Sequence, residues 1–362
     1  MIIMSKIAFV IDDVSHSGGT ERVLSILANN FSKSNEVTVF SLGSKKPFFN
    51  FDSTIDIVLQ KESKRVRIHK LLHIARQITN SAYDVVIIIS MGRLSFQLLP
   101  LMYFFKRLKS SKTKVISCDH VAFESFNKIK QLIKLKTYAL SDVLCVLTEH
   151  DKNYISKKNT NIKKIVVMRN ISSFAESCHD YMDIFAQKKN CVLAVGRLTY
   201  QKNFEALIQI WANLPEHIRS AWELHIAGDG ENKDTLRKLI SELNVTSSVK
   251  LLGNVSNIKN EYLTASVLCM TSRYEGLPMV LIEAKDFAIP VISFDCPTGP
   301  AEIITDDGFL ITNDDCYAFE EKLRLLLTNR QLREKLGHNA FTNRSMYGAP
   351  KILSEWITLI NS

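Results

Sequence analysis

Val85-Val86-Ile87-Ile88-Ile89 is an unbroken run of β-branched residues. A strand with one wet face alternates apolar and polar residues, so a continuous run predicts a strand buried on both faces. That is the habit of a parallel sheet covered by helices. Outward from it, Lys6 to Ile11, Val37 to Leu42, Val115 to Ser117, Val143 to Leu147 and Ile165 to Met168 read as companion strands. Between the first two, Val23, Leu24, Ile26, Leu27 and Phe31 recur at helical spacing. The pattern restarts at Cys191-Val192-Leu193-Ala194-Val195, which runs into Gly196. It repeats at Trp222 to Ala227, Val249 to Leu252, Val267 to Met270 and Pro290 to Phe294. Strands alternating with helices predict parallel βαβ units. A chain of 362 residues suits two such domains, each able to bury its own core. The expected fold is α/β, with two Rossmann-like, doubly wound domains facing across a cleft. The domains are placed at residues 1–172 and 189–345, joined by a polar, unpatterned linker at 173–188 and followed by a final segment at 346–362.

Composition narrows the class. The chain is 46% hydrophobic and 23% charged, as soluble globular proteins are. Met1 to Val10 lacks a signal-peptide pattern, and the most apolar stretch, Leu94 to Leu108, is interrupted by Gln97, Pro100, Lys106 and Arg107. Neither a leader nor a membrane span is expected. The seven cysteines are scattered and never form C-x-x-C, so they read as buried, reduced thiols, with no disulfide or structural metal. Residues 1–172 carry 27 Lys and Arg against 13 Asp and Glu, whereas the rest carries 19 against 24. The cations gather at Lys61 to Lys70, Lys106 to Lys114 and Lys128 to Lys136. In the last, Ile129, Leu132 and Ile133 fall at helical spacing among lysines. Such a helix suits an anionic membrane surface, and a solvated charged face would also account for it.

Ligands in doubly wound sheets bind at the carboxyl ends of the strands. Six segments there stand out. Asp12 to Arg22 contains Gly18-Gly19, where backbone can approach a ligand at a helix start; it is not G-x-G-x-x-G, which disfavours a dinucleotide oxidoreductase. Ser117-Cys118-Asp119-His120 closes a strand with a histidine. Gly196-Arg197-Leu198-Thr199-Tyr200-Gln201-Lys202 brings an arginine and a lysine to one short loop, a pair suited to a diphosphate. Gly228-Asp229-Gly230 reads as a turn, and Gly253-Asn254-Val255 as a turn or a nucleotide loop. Tyr274-Glu275-Gly276-Leu277-Pro278-Met279-Val280-Leu281-Ile282-Glu283 places two glutamates eight positions apart. Pro278 suits a first helical turn. Glu275 then stands at a helix mouth, and Glu283 about one and a half turns inside it. Free N–H groups attract anions and carboxylates accept from hydroxyls, a combination that describes a nucleotide sugar. Asp12-Asp13 and Asp314-Asp315 read as turns and not as metal ligands.

The last stretch resembles the glutamate–seven residues–glutamate signature of the retaining, two-domain glycosyltransferases of family four, within the glycosyl transferases group 1. The resemblance spans the chain and is densest from Gly196 to Ile304. It implies the GT-B fold, with the helix at Ala349 to Ile360 crossing back to the first domain. It implies catalytic roles for Glu275, His120, Arg197 and Lys202. Donor binding would fall to Gly18, Gly19, Arg197, Lys202, Gly253, Val255, Glu275, Gly276, Leu277, Pro278 and Glu283. Glu283 would hold the ribose and Glu275 the sugar. Arg197 and Lys202 would hold the diphosphate with no metal, and the nucleotide sugar would be the only cofactor-like partner. The loop Asp295-Cys296-Pro297-Thr298-Gly299-Pro300-Ala301-Glu302-Ile303-Ile304 is similar to that of bacterial polysaccharide members. It points to a UDP-linked hexose or N-acetylhexosamine. The implied acceptor is a polyprenyl-diphosphate-linked glycan in O-antigen, capsule or exopolysaccharide assembly, which places the protein in the cytoplasm, peripheral on the inner face of the membrane.

Rival classes remain testable. A nucleotide-sugar epimerase would form product without an acceptor, and a non-catalytic nucleotide-sugar-binding protein would use the same residues without turnover. Nucleic acid is not an expected partner, because the basic half lacks a helix-turn-helix signature or an aromatic RNA-binding motif.

Overall fold

The computed structural model describes residues 5–16, 18–60, 66–159, 161–174 and 180–362. The chain divides into two compact units, one of residues 1–173 with 350–362, the other of residues 174–349.

The first unit holds a seven-stranded sheet of β1 (Lys6–Ile11), β2 (Glu36–Ser41), β3 (Asp56–Leu59), β4 (Val85–Ser90), β5 (Lys114–Asp119), β6 (Val143–Val146) and β7 (Ile165–Val167). The strand order is β3-β2-β1-β4-β5-β6-β7 and every pairing is parallel, with Ile7 opposite both Val37 and Val85. Every residue of β4 is buried, as its composition requires. Alternate residues of β1 serve opposite faces. Ala8 and Val10 join Leu71, Leu98 and Tyr138 in one core. Phe9 stacks on Phe31 of the helix Gly19–Phe31, and Phe31 in turn meets Trp356 edge-on at 6.4 Å. The terminal helix Ala349–Asn361 is thereby part of the first unit, with Ile352, Trp356 and Leu359 buried.

The second unit repeats the plan with β8 (Cys191–Val195), β9 (Glu223–Ala227), β10 (Val249–Gly253), β11 (Val267–Met270), β12 (Val291–Phe294) and β13 (Gly308–Ile311). The order is β10-β9-β8-β11-β12-β13, again parallel throughout. Its core joins Val192, Leu224 and Ile292 to Trp211 and Phe319, and the one buried polar group of Trp211 is satisfied by Ser248 Oγ at 3.0 Å. Both units are doubly wound Rossmann-like domains.

Several elements differ from the sequence reading. β3 and β13 are four-residue edge strands, half exposed, and the sequence reading passed over their short apolar runs, Ile57 to Leu59 and Phe309 to Ile311. The stretch read as a linker contains the helix Tyr181–Ala186, capped by Asp180, whose Tyr181 ring packs on His338 and Phe341. The helix Lys128–Tyr138 does not present a simple lysine wheel. Lys134 is wholly buried, because Asp119 awaits it inside, whereas Ile129, Leu132 and Ile133 face outward. Five cysteines are buried and Cys316 is half-buried, all unpaired. Cys178, residues 61–65 of the first basic stretch, Ser17 of the glycine loop and Met1 to Met4 lie outside the described residues. Among the described residues, no helix is long and apolar enough to cross a membrane.

Candidate functional site

In the second unit the strand order reverses between β8 and β11. A doubly wound sheet opens a crevice at that point, outside the carboxyl ends of the two strands. The segments leaving β8 and β11 are Gly196–Lys202 and Thr271–Glu275, the two that carry the predicted diphosphate and sugar residues.

The two loops are laced together by backbone and side chain. Arg273 N–H donates to the Gln201 carbonyl at 2.8 Å, and Gln201 Nε2 donates to the Tyr274 carbonyl at 2.9 Å. Thr271 Oγ1 donates to the Asn203 carbonyl at 3.0 Å. The Arg273 guanidinium lies 4.0 Å from the Tyr200 ring centroid and donates to the Tyr200 carbonyl. Within this frame Lys202 Nζ meets Glu275 Oε1 at 2.6 Å, with the two side chains 16% and 9% exposed. A cation and a carboxylate are thus held at one mouth. Arg197, on the same loop, is exposed, and its side chain has no partner among the described residues.

Glycines let the loops approach. A Cβ on Gly228, at φ +142°, would stand 1.9 Å from the Gly196 carbonyl oxygen, and one on Gly230 would stand 2.5 Å from that of Leu198. The turn after β9 is therefore pressed under the loop after β8, which fits the turn reading of Gly228-Asp229-Gly230. Gly228 N–H donates to the Gly253 carbonyl at 2.8 Å, so Gly253 and Val255 leave the sheet at this same edge. The space above Gly253 is open.

Glu275 is also held from the far side. Its N–H donates to the Pro297 carbonyl at 2.9 Å, and its carbonyl accepts from Thr298 N–H at 3.0 Å. Thr298 Oγ1 donates to the Gly276 carbonyl at 3.2 Å. A Cβ on Gly299, at φ +94°, would collide with that carbonyl at 2.4 Å. The charge of Glu275 is felt by Cys296, whose buried thiol is pushed up to about 12, first by burial and then by Glu275.

Pro278 caps the helix Met279–Asp286, so Glu275 stands before its first turn and Glu283 inside it. Every residue from Leu281 to Asp286 is buried. Glu283 Oε2 accepts from Tyr262 Oη at 2.7 Å, and Tyr262 stacks on Phe287 at 5.4 Å. Lys285, two residues on from Glu283, is sealed in an ion pair with Asp307. The helix is thus pinned by two buried polar links, and Glu283 cannot swing as a surface residue would.

In the first unit, Gly18, Gly19 and His120 lie at the carboxyl edge of that unit's own sheet, after β1 and β5. Gly18 precedes the helix Gly19–Phe31, and Glu21 of its first turn folds back so closely that a Cβ on Gly18 would meet its Oε2 at 2.4 Å. His120 is half-buried and lines a crevice with Cys118, Cys145, Met168 and Asn170. Burial lowers its pKa from 6.5 to about 4, against a smaller opposing pull from Asp119, so the ring is neutral at pH 7. A neutral imidazole donates from one nitrogen and accepts at the other. Beneath it, Asp119 pairs with Lys134 and accepts from Tyr138. Lys134 also donates to the Gly92 carbonyl at 3.3 Å.

Sequence reasoning missed Gln201, Arg273 and Tyr262, because nothing local marks a residue whose partner is tens of positions away. It also passed over Asp119 and Lys134. Among the described residues, no group of three or more His, Cys, Asp or Glu side chains gathers as metal ligands would.

Comparisons with known proteins bear on the family and the fold. The family model described as "Glycosyl transferases group 1" matches residues 183–343. The chain is 42% identical over 361 residues to the amylovoran biosynthesis glycosyltransferase AmsD of Erwinia amylovora, covering 99% of this chain and 100% of that one. It is 29% identical over 369 residues to a Campylobacter jejuni alpha-1,4-N-acetyl-D-galactosaminyltransferase, covering 99% and 98%. That enzyme's name gives its acceptor as GalNAc-alpha-(1->4)-GalNAc-alpha-(1->3)-diNAcBac-PP-undecaprenol. In fold it is similar to Anabaena HepE, crystallised with UDP and glucose, at TM-score 0.79 and 15% identity over 99% of both chains.

Proposed function

This chain belongs to the glycosyl transferases group 1 family and is a glycosyltransferase of GT-B architecture, and we propose that it transfers a hexose or N-acetylhexosamine, with retention, from a UDP-sugar to a lipid-diphosphate-linked glycan. The observation that carries the reading is the Lys202–Glu275 pair at the β8/β11 switch point, beside an unpartnered Arg197. Arg197 and Lys202 would hold the diphosphate and stabilise the charge that grows on it as the glycosidic bond breaks. A metal is then not required. Glu275 would accept from sugar hydroxyls once Lys202 turns to the phosphate. Glu283, aligned by Tyr262, would accept from the ribose hydroxyls. Gly276, Leu277 and Pro278 would line the sugar through backbone, and Gly253 and Val255 would approach the base. In the first unit, neutral His120 would hydrogen-bond the donor sugar, and Gly18 and Gly19 would admit the phosphate and the acceptor.

Retention would proceed by attack from the face the diphosphate leaves. The bond from the anomeric carbon to the phosphate oxygen breaks, the acceptor oxygen bonds to that carbon, and the departing oxygen takes the acceptor's proton. No side-chain nucleophile enters this scheme. The two named relatives, one an amylovoran biosynthesis enzyme and one acting on an undecaprenol-diphosphate glycan, support a role in polysaccharide assembly and a lipid-diphosphate-linked acceptor. The test supplies UDP-hexoses and UDP-N-acetylhexosamines with a polyprenyl-diphosphate glycan and reads UDP release and the product's anomeric configuration by NMR. An α-linked product from an α-donor, formed in EDTA, is expected. Inversion, or release of UDP without glycan extension, would overturn the proposal.

A further inference from the structure

A polar chain crosses the second unit near the amino ends of β9 and β10. Lys250 Nζ, on β10, donates to Glu223 Oε1 at 2.6 Å, at the start of β9. The other oxygen of Glu223 meets His225 Nε2 at 3.0 Å. His225 Nδ1 meets Glu261 Oε2 at 3.1 Å, on the helix Ile258–Thr264. Residues two apart on a strand share a face, so Glu223 and His225 serve the same side of the sheet. Lys250 stands opposite His225 in the parallel register. Lys250 first, and then His225, hold the Glu223 carboxyl below the usual range. Helices over a doubly wound sheet are ordinarily held by apolar faces. Here the strand offers this helix a histidine backed by an ion pair.

The helix so held is seven residues long, too short to persist by itself in water. Tyr262 is its one buried residue. The Tyr262 ring packs on Phe174 and Phe287, at 5.7 and 5.4 Å, and its hydroxyl donates to Glu283 Oε2 at 2.7 Å. Polar contacts fasten the backbone around that tyrosine. Lys188 Nζ donates to the Tyr262 carbonyl at 3.2 Å, and Lys189 N–H donates to the Thr264 carbonyl at 2.8 Å. Neighbours on a helix point about 100° apart. Glu261 therefore reaches the polar strand residues while Tyr262 turns to the core and to Glu283. Because the two are adjacent, the contact that fixes Glu261 also fixes the backbone from which Tyr262 is aimed.

We propose that His225 and Glu261 are positioning residues for the donor: by holding the helix Ile258–Thr264 to the sheet they keep Tyr262 aimed at Glu283, and so fix the carboxylate that receives the ribose. The proposal rests on the donor-site reading, in which Glu283 accepts from the ribose hydroxyls. Neither residue touches the nucleotide in this scheme; both act through Tyr262. No motif marks them, because the link joins residues 36 positions apart.

The test compares UDP with 2′,3′-dideoxy-UDP, which lacks the ribose hydroxyls, by titration calorimetry on the full chain. Wild type should bind UDP more tightly than the analogue. Loss of an outer partner of a ligand-holding side chain typically costs about 10- to 100-fold. Glu261→Ala and His225→Ala should each weaken UDP about tenfold and leave the analogue within about twofold. General damage to the fold would lower both alike. Glu261→Gln can still accept from His225 and should restore UDP binding. Tyr262→Phe removes the hydroxyl itself, so adding Glu261→Ala to it should cost almost nothing more. Equal losses for UDP and analogue, wild-type UDP affinity in Glu261→Ala, or additive losses in the double variant would overturn the proposal. Glu283→Ala separates the two levels. If it binds UDP as wild type does, the donor-site reading falls and the positioning role with it; if it is weakened while Glu261→Ala is not, the positioning role alone falls.

Discussion

Lys202→Met removes a charge and keeps the length of the side chain. That charge faces Glu275 at 2.6 Å, and the Glu275 side chain is only 9% exposed. Its backbone is fixed by Pro297 and Thr298, so the carboxylate has little room to retreat into water. Removing one member of a buried pair typically costs 3–5 kcal/mol, mostly because the survivor is left unpaired. The residual exposure argues for the lower end, about 3 kcal/mol, or roughly 6–12 °C in a domain of this size. Glu275→Gln should cost less, because a neutral amide can still accept and Lys202 can extend toward solvent. Lys202→Met/Glu275→Gln should recover most of the loss, since no charge is then stranded. Urea unfolding of the four proteins measures the coupling directly. Losses that add within about 0.5 kcal/mol would show that the pair does not exist in solution, and the mouth would not be preorganised as described.

Other consequences follow from the same contacts. Gly228→Ala places a methyl 1.9 Å from the Gly196 carbonyl and should destabilise the second unit by several kcal/mol, about 3 or more, in a thermal melt, with nucleotide binding weakened in whatever folds. Lys134→Met strands Asp119 in the first unit and should cost about 3–5 kcal/mol in denaturant, whereas Lys136→Met, exposed on the same helix, should be neutral. His120 has its pKa depressed from 6.5 to about 4, so between those values the unfolded chain binds the extra proton and stability rises with pH. The contribution of about 3 kcal/mol is present above pH 6.5 and is lost as pH falls toward 4; it should be missing from the pH–stability curve of His120→Gln. Proton NMR of the His120 ring should show no titration between pH 5.5 and 8.

The fold was legible wherever strands are buried on both faces. β4 and β8 announce themselves by unbroken runs of five apolar residues, and the glycines at or just after the ends of β8, β9 and β10 mark where the chain must turn tightly. β3 and β13 were passed over, because each offers only three consecutive apolar residues on a short, half-exposed strand. Residues 173–188 misled for a related reason: a two-turn helix anchored by the buried Ile184, and by Tyr181 packing on side chains from the far end of the unit, has no local signature. Within the candidate site, Arg197, Lys202, Glu275 and Glu283 were singled out by type and spacing, and the Lys202–Glu275 contact brings two of them together. The supports of that contact, Gln201 and Arg273, were invisible because they act through backbone carbonyls across the switch point. Lys134 was misread outright. A lysine in a lysine-rich helix gives no hint that one of its number is turned inward to neutralise a buried aspartate.

The most direct test of the central claim is the thermal stability of the protein with UDP, GDP and ADP, measured beside Arg197→Ala and Glu283→Ala. At a hundredfold excess over its dissociation constant a ligand stabilises by about 2.7 kcal/mol, roughly 5–11 °C here. The account predicts that shift for UDP alone and its loss in both variants, because one variant removes a diphosphate contact and the other the ribose acceptor. Equal shifts for wild type and variants, or none with any nucleotide, would contradict the assignment of the β8/β11 switch point as the donor site.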